Sequence, residues 1–355
     1  MSLTVENQAW CREILPAVSR TFALGIELLA DPLRDEIGVA YLICRILDTI
    51  EDTTTLPAEA RAALLDRCAT ELVDDAKWRA CCADIEAMFA DEAALDGTDH
   101  KLCRKSTVVL QTFHEFRPGA REAQQLSLRE MAEGMAETVR REMRGEGLRL
   151  NDEEDLKRYC YYVAGTVGKL LCNEWALDRS SITPEVKAAL DERAVSFGLG
   201  LQVTNIIKGV TDDIARGVAY VPHKLFAAAG IDLQTLIDNP ADPRGREVVA
   251  GLADMTLLWL DEALEYTVTI PASERDIRLF CALPLVFAVR TLARALKTTE
   301  VFSEEALKIT RDEVKKIHTE VDANIADNEA LRNIHNRERK AVVEQIEAAR
   351  SAAES

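Results

Sequence analysis

Residues 41–57 read YLICRILDTIEDTTTLP. In this run Asp48, Glu51 and Asp52 stand at i, i+3 and i+4, so on a helix they share one face with side chains about 5–6 Å apart. No lysine or arginine is interleaved among the three acids. The residues before them (Ile37, Val39, Ala40, Leu42, Ile43, Ile46, Leu47) are apolar, which predicts a largely buried helix, and Thr-Thr-Thr-Leu-Pro breaks it. Two readings are open: a last turn that reaches solvent, or a set of carboxylates that binds a divalent metal. Negative charge at a helix C-terminus opposes the macrodipole, which weakens the first. Arg45, one turn before Asp48, suits either a carboxylate partner or a phosphate.

Outward from this run, helical periodicity continues almost from end to end, and no convincing alternating strand interrupts it. Proline and glycine fall mainly between periodic blocks. The pattern predicts helices near 8–17, 20–30, 33–52, 58–73, 77–94, 101–115, 119–144, 153–177, 184–215, 243–269, 273–298 and 303–348. The fold class is all-α. No linker rich in Gly, Ser or Pro divides the chain, so a single helical domain is expected over 1–318. Residues 223–247 read as short helices and a loop, and 319–355 as a highly charged helical tail, solvated by the plainer reading and in contact with a partner or membrane by the other.

Composition narrows the function. The 355 residues carry a net charge of -18, which argues against a nucleic-acid partner, since phosphate backbones call for a basic stripe. An anionic chain can still bind an anionic substrate when carboxylates hold divalent cations between the two. Nine scattered cysteines show no paired or zinc-type spacing, which reads as reduced thiols packed as small hydrophobes in a cytoplasmic protein. The first residues lack a basic region followed by an apolar run, so no signal peptide is expected. Apolar stretches such as FCALPLVFAV, from Phe280, end in charge after about half a membrane span, so no transmembrane segment is expected.

A second acidic set lies in LQVTNIIKGVTDD, residues 201–213. Asn205, Gly209 and Asp213 recur every four residues, and Asp212 follows Gly209 by one turn. A buried polar stripe flanked by Leu201, Val203, Ile206, Ile207 and Val210 would need partners. A surface helix explains it if it stands alone. Paired with the first set, it reads as a second group of ligands for Mg²⁺ ions that clamp a diphosphate.

At this point the chain resembles the squalene and phytoene synthase family, and within it the squalene synthase branch. The resemblance runs over roughly residues 15–316 and rests on motifs in the family's order. They are SRTF (19–22), YLICRILDTIED (41–52), EMAEGMAE (130–137), YCYYVAGTVG (159–168), LQVTNIIKGVTDD (201–213), FCALPLVFAVRTL (280–292) and VFSEEALKITRDEV (301–314). It implies the isoprenoid-synthase (class I terpenoid synthase) helical bundle around a central cavity. It also implies a transferase that joins two farnesyl diphosphates head to head with Mg²⁺ and reduces the presqualene diphosphate to squalene with NADPH. Peripheral membrane contact for product release would fit that chemistry.

The resemblance also carries roles onto individual residues. Asp48, Glu51, Asp52 and Asp213 resemble the family's metal ligands, with Asn205 and Asp212 in the same group. Arg20, Arg45 and Tyr41 fall where the family contacts diphosphate or the cofactor's phosphates; Ser19 and Gln202 join the substrate-binding positions. Lys208 occupies a position that is usually arginine, keeping the charge but losing the bidentate fork. Lys308 and Arg311 resemble a late basic pair for the NADPH phosphate, with the spacing shifted by one. Tyr159, Tyr162 and Phe280 resemble cavity aromatics whose π faces steady a carbocation.

One position departs from the family pattern. Gly209 stands where the second motif normally has an aspartate. Either a water fills the space with Asp212 or Asp213 compensating, or the Asn205–Gly209–Asp213 spacing forms an altered metal triad, or the protein is impaired or redirected. Rival products are dehydrosqualene or phytoene, formed without reduction. A catalytically silent prenyl-diphosphate-binding paralogue is a rival of another class.

Overall fold

The computed structural model describes residues 3–19, 21–144, 149–215, 217–298 and 307–353. Among these there is no strand; one isolated bridge joins Arg149 and Ala219. The chain packs into two compact units, residues 1–146 with 166–187, and 147–165 with 188–355.

The first unit contains α1 (Leu3–Val18), α2 (Thr21–Leu28), α3 (Leu33–Asp52), α4 (Ala58–Glu71), α5 (Trp78–Met88), α6 (Thr98–Cys103), α7 (Ser106–His114), α8 (Pro118–Met143) and α10 (Thr166–Asp178). Helix α3 is central because it is apolar on most of its circumference. Leu33, Leu42, Ile43, Ile46, Leu47 and Ile50 have no measurable exposure, each burial contributing roughly 1.5–3 kcal/mol before entropy is set against it. It packs against α8, α7, α1 and α6, while α4 lies along α8. Arg117 ties the start of α8 to the start of α3 by donating twice to the buried Glu36 carboxylate, 2.9 Å each. The predicted helix 101–115 is two, broken at Arg104–Lys105.

The second unit contains α9 (Glu153–Cys160), most of α11 (Pro184–Ala215), α12 (His223–Ala228), α13 (Leu233–Asp238), α14 (Pro243–Thr269), α15 (Arg275–Ala295), α16 (Arg311–Asn324) and α17 (Asn328–Ala353). The predicted helix 153–177 is interrupted by a π turn, Tyr161–Gly165. The predicted helix 303–348 breaks as well. It begins outside the described residues, and α16 ends at Asn324, after which Asp327 accepts the backbone N–H of Glu329 and Ala330 to start α17.

Residues 319–355 were expected to form a solvated tail. Instead, the described part of α17 buries Leu331, Ile334, Val342, Ile346 and Ala349 and packs on α14 and α15. Its charged residues seal that seam: Arg332 pairs with Glu265, Arg339 and His335 with Asp261, and Arg290 of α15 with Glu338. A helix rich in charge reads as solvated when its partners are unknown; here the charges border a narrow apolar stripe.

The cysteines of the chain are free thiols, all buried except the half-buried Cys44. Among the described residues no helix is long and apolar enough to cross a membrane.

Candidate active site

The first acidic set sits on the last turn of α3, as its spacing predicts. Glu51 is only 5% exposed, while Asp48 and Asp52 are half-buried. Neither carboxylate oxygen of Glu51 has a hydrogen-bond partner. The nearby Thr138 hydroxyl donates instead to Gly134 of its own helix at 3.1 Å. Burial, and then the charges of Asp52 and Asp48, push the Glu51 carboxyl well above the ordinary carboxylate range, against the opposing pull of Arg61. A buried carboxylate with so little compensation is costly unless it takes up a proton or a cation joins it.

Arg45 bridges Asp48 and Asp99. Its Nη1 donates to Asp48 at 2.6 Å, and Nε and Nη2 to the two oxygens of Asp99 at 3.1 and 2.9 Å. Burial alone would lower its pKa, but the charges of Asp48 and Asp99 outweigh that and hold it above the usual guanidinium value. Tyr41 is raised by burial, eased by hydrogen bonding to Ser19 and by the charge of Arg45. Ser19 also accepts the backbone N–H of Phe22 at 3.2 Å, so it anchors the entry to α2 as well as meeting Tyr41. Arg20 lies outside the described residues.

In the second unit, α11 carries Gln202, Asn205, Lys208, Gly209, Asp212 and Asp213. The expected buried stripe is buried at Asp213, which is 7% exposed, whereas Asn205 and Asp212 are exposed and Gln202, Lys208 and Gly209 half-buried. A Cβ built at Gly209 would meet only the two Asp213 carboxylate oxygens, at 3.7 and 3.9 Å, so space stands over this turn. The helix ends in a turn where Gly217 takes φ +81° and the Val218 N–H returns to the Asp213 carbonyl at 3.0 Å.

Tyr159 is buried and stacks on Tyr220 with centroids 4.4 Å apart. Tyr162 lies in the π turn, edge-on to Tyr161 at 5.3 Å. That turn lies so close to α11 that a Cβ at Gly198 would fall 2.3 Å from the Ala164 carbonyl oxygen. Phe280 is buried on α15. Lys308 and Arg311 are exposed, at the start of α16, where Thr310 and Glu313 form a capping box and Arg294 donates to the Lys308 carbonyl and to Glu313. Residues 301–306 of that motif lie outside the described residues.

Arg61, Asp99, Tyr220 and the π turn were not among the sequence candidates. For Arg61 there was a signal: it precedes Leu64, Leu65 and Cys68 by three, four and seven, so it lies on the apolar stripe of α4. Asp99 and the π turn carry no comparable mark.

Among the described residues no three His, Cys, Asp or Glu side chains form a ready-made metal cage. Mg²⁺ does not require one. It keeps several waters and takes substrate phosphate oxygens alongside one or two carboxylates. The partnerless oxygens of Glu51, flanked by Asp48 and Asp52, fit such an ion. Asp213, beside the space over Gly209, is a donor of the same kind.

Comparison with known proteins agrees with these features. The family model of squalene/phytoene synthase matches residues 15–313. The squalene synthase of Schizosaccharomyces pombe is 26% identical over 312 residues, 88% of this chain and 64% of that protein. Squalene synthase LSS of Botryococcus braunii is 30% identical over 318 residues, 88% of this chain and 63% of that one. The chain therefore spans slightly under two thirds of the length of these relatives. Among solved structures, a complex of TcSQS with a ligand superposes with a TM-score of 0.75 at 22% identity, covering 98% of this chain and 99% of that one. That likeness establishes the fold as the all-α isoprenoid-synthase type. With its model matched over most of the length, the chain belongs to the squalene/phytoene synthase family.

Proposed function

We propose that the protein is a transferase that condenses two farnesyl diphosphates head to head to presqualene diphosphate and then reduces it to squalene, using Mg²⁺ and NADPH. The observation that carries this reading is the buried Glu51 carboxylate, without a hydrogen-bond partner, between two further acids on one helix face. Family membership supplies the substrate class.

Asp48, Glu51 and Asp52 on α3 would hold magnesium, and so would Asp213 with Asn205 and Asp212 on α11. Bound there, the metal would neutralise charge on the departing pyrophosphate. Arg45, whose Nε and Nη2 donate to Asp99 and whose Nη1 donates to Asp48, would offer its remaining N–H groups to a diphosphate. Lys208 adds a positive charge from α11, with Ser19, Tyr41, Arg20 and Gln202 as further diphosphate or substrate contacts. Tyr159, set by its stack on Tyr220, and Tyr162 would offer π faces to cationic carbon. NADPH would supply the hydride of the second step. Lys308 and Arg311 would bind its phosphate and Phe280 would pack beside it. On this reading the chain is cytoplasmic and touches the membrane surface peripherally as the hydrocarbon leaves.

Incubation with farnesyl diphosphate and Mg²⁺, with and without NADPH, followed by mass spectrometry of the products, tests this. Squalene is expected with NADPH and presqualene diphosphate without it. Dehydrosqualene as the sole product in both would overturn the reductive reading. Gly209 favours one other reading, a silent prenyl-diphosphate-binding paralogue. Ligand binding without pyrophosphate release at any Mg²⁺ concentration would establish it.

A further inference from the structure

Arg61 of α4 is among the most buried charged side chains of the first unit, at 1% exposed. A buried guanidinium must spend its donors on partners or destabilise the fold. Arg61 spends them at the end of α3. Its Nη1 donates to the Glu51 carbonyl, Nε to the Leu56 carbonyl at 3.2 Å, and Nη2 to the Glu142 carboxylate of α8 at 2.9 and 2.7 Å. The Glu51 carbonyl is one of the last four of α3, which have no acceptor role within the helix. Other ties of that turn are Thr53 N–H to the Thr49 carbonyl at 3.1 Å, Thr53 Oγ1 to the same carbonyl at 2.6 Å, Leu56 N–H to the Thr53 carbonyl at 2.9 Å, and a contact of Thr53 Oγ1 with His100 Nε2 at 3.5 Å. Arg61 reaches that turn from the next helix, and it brings positive charge to a helix end that carries three acids and the negative pole of the dipole.

We propose that Arg61 is a positioning residue for divalent-cation binding. Through the Glu51 carbonyl it fixes the backbone of the turn bearing Glu51 and Asp52, and Glu142 holds Arg61 in place from behind. The inference rests on reading Asp48, Glu51 and Asp52 as cation ligands. A plain core brace is the competing role, and the chain supplies a control for it. Arg117, itself exposed, makes a bidentate pair with the buried Glu36 of α3, about 22 Å away along the helix at 1.5 Å per residue.

The probe is Mn²⁺ with inorganic pyrophosphate, titrated by calorimetry into the full chain, with circular dichroism and melting temperature recorded for every variant. Arg61→Lys keeps the charge but loses the fork, and is expected to weaken Mn²⁺ binding roughly tenfold, the usual size of an outer-sphere effect. Glu142→Gln, which leaves Arg61 in place but loosens it, is expected to weaken binding by a smaller factor and carries the test if Arg61→Lys does not fold. Arg117→Met is expected to lower the melting temperature with Mn²⁺ affinity unchanged. Affinity within twofold of the parent in the folded Arg61 and Glu142 variants overturns the proposal. So does an equal loss in Arg117→Met. Asp52→Asn separates the two levels. If it fails to weaken Mn²⁺ binding, the cation reading itself is wrong and the positioning role falls with it; if it does weaken binding while Arg61→Lys does not, only the positioning role falls.

Discussion

The two acid-bearing helices solve the same electrostatic problem by different means. On α3 the acids crowd the last turn of a 20-residue helix, one of them fully withdrawn from water, and arginines hold the turn: Arg45 through Asp48 and Asp99, Arg61 through the Glu51 carbonyl. On α11, a 32-residue helix, the pattern is looser. Asn205 and Asp212 face water, Asp213 is buried, and Gly209 leaves open space beside it. At its end the chain turns through Gly217, with the Val218 N–H returning to the Asp213 carbonyl. Charge bracing makes the first turn rigid and intolerant of change, whereas space makes the second adaptable. If that contrast is right, substitutions on α3 should cost far more than those on α11.

Glu51→Gln is the harshest test of the braced side. It keeps the shape and removes the charge that a cation would meet, so pyrophosphate release should fall at least about 100-fold, since loss of even an outer-sphere partner costs 10–100-fold. Melting temperature without Mg²⁺ should hold or rise, because the substitution relieves an ionisable group that burial and two neighbouring acids strain. Activity near the parent's would remove Glu51 from the site.

Burial of an acid does not by itself mark a site, and Glu174 shows the difference. On α10 it is 0% exposed, and although its Oε2 has no hydrogen-bond partner, Gln124 Nε2 donates to its Oε1 at 2.7 Å. Burial pushes its carboxyl up to about 8, only partly eased by Gln124, with the charge of Glu36 adding and that of Arg117 opposing. Below about pH 4 both folded and unfolded chains carry this proton and no penalty arises. As pH climbs toward 8 the unfolded chain alone gains by ionising, so stability falls by roughly 3–5 kcal/mol and then levels off. Glu174→Gln should flatten that slope, shrinking the drop in melting temperature between pH 5 and pH 8 by roughly 5–10 °C while leaving Mg²⁺-dependent activity in place. A loss of activity matching that of Glu51→Gln would mean that the two buried acids belong together after all.

These contrasts also separate what could be read from the sequence and what could not. The bounds of α3, α11 and α14 match the periodic blocks because apolar spacing and proline signals coincide there: Pro184 and Pro243 open α11 and α14, and Thr-Thr-Thr-Leu-Pro follows α3. The acidic spacing on both helices was equally plain. What the spacing could not say is which acids are buried, because burial depends on neighbours distant in the chain. Asp99 lies 54 positions from Arg45, and Glu142 81 positions from Arg61. The π turn was hidden for a related reason. YYVAG carries only one weak breaker, Gly165, and the turn lies where Gly198 of a different helix lets the backbones touch. The seam of α17 was misread because its stripe is thin and its ion-pair partners sit on α14 and α15.

The gentlest test is on the adaptable side. A Cβ at Gly209 meets only Asp213 oxygens at ordinary contact distance, so Gly209→Ala should stabilise the helix by about 0.5–1 kcal/mol, with or without metal, by removing glycine's backbone freedom. Gly209→Asp gains the same backbone term but sets a second carboxylate beside Asp213, and like charges that close disfavour one another unless a cation joins them. Its melting temperature in Mg²⁺-free buffer should therefore fall below that of Gly209→Ala. The rise on adding Mg²⁺ with pyrophosphate should exceed the parent's, because a ligand stabilises the folded chain in proportion to its affinity. Turnover should stay within about threefold of the parent, since an open position beside Asp213 can take a water that supplies the missing oxygen. A tenfold or larger rise in turnover would instead mark Gly209 as a defect in the site, and the second helix would then be impaired where it is here held to be adaptable.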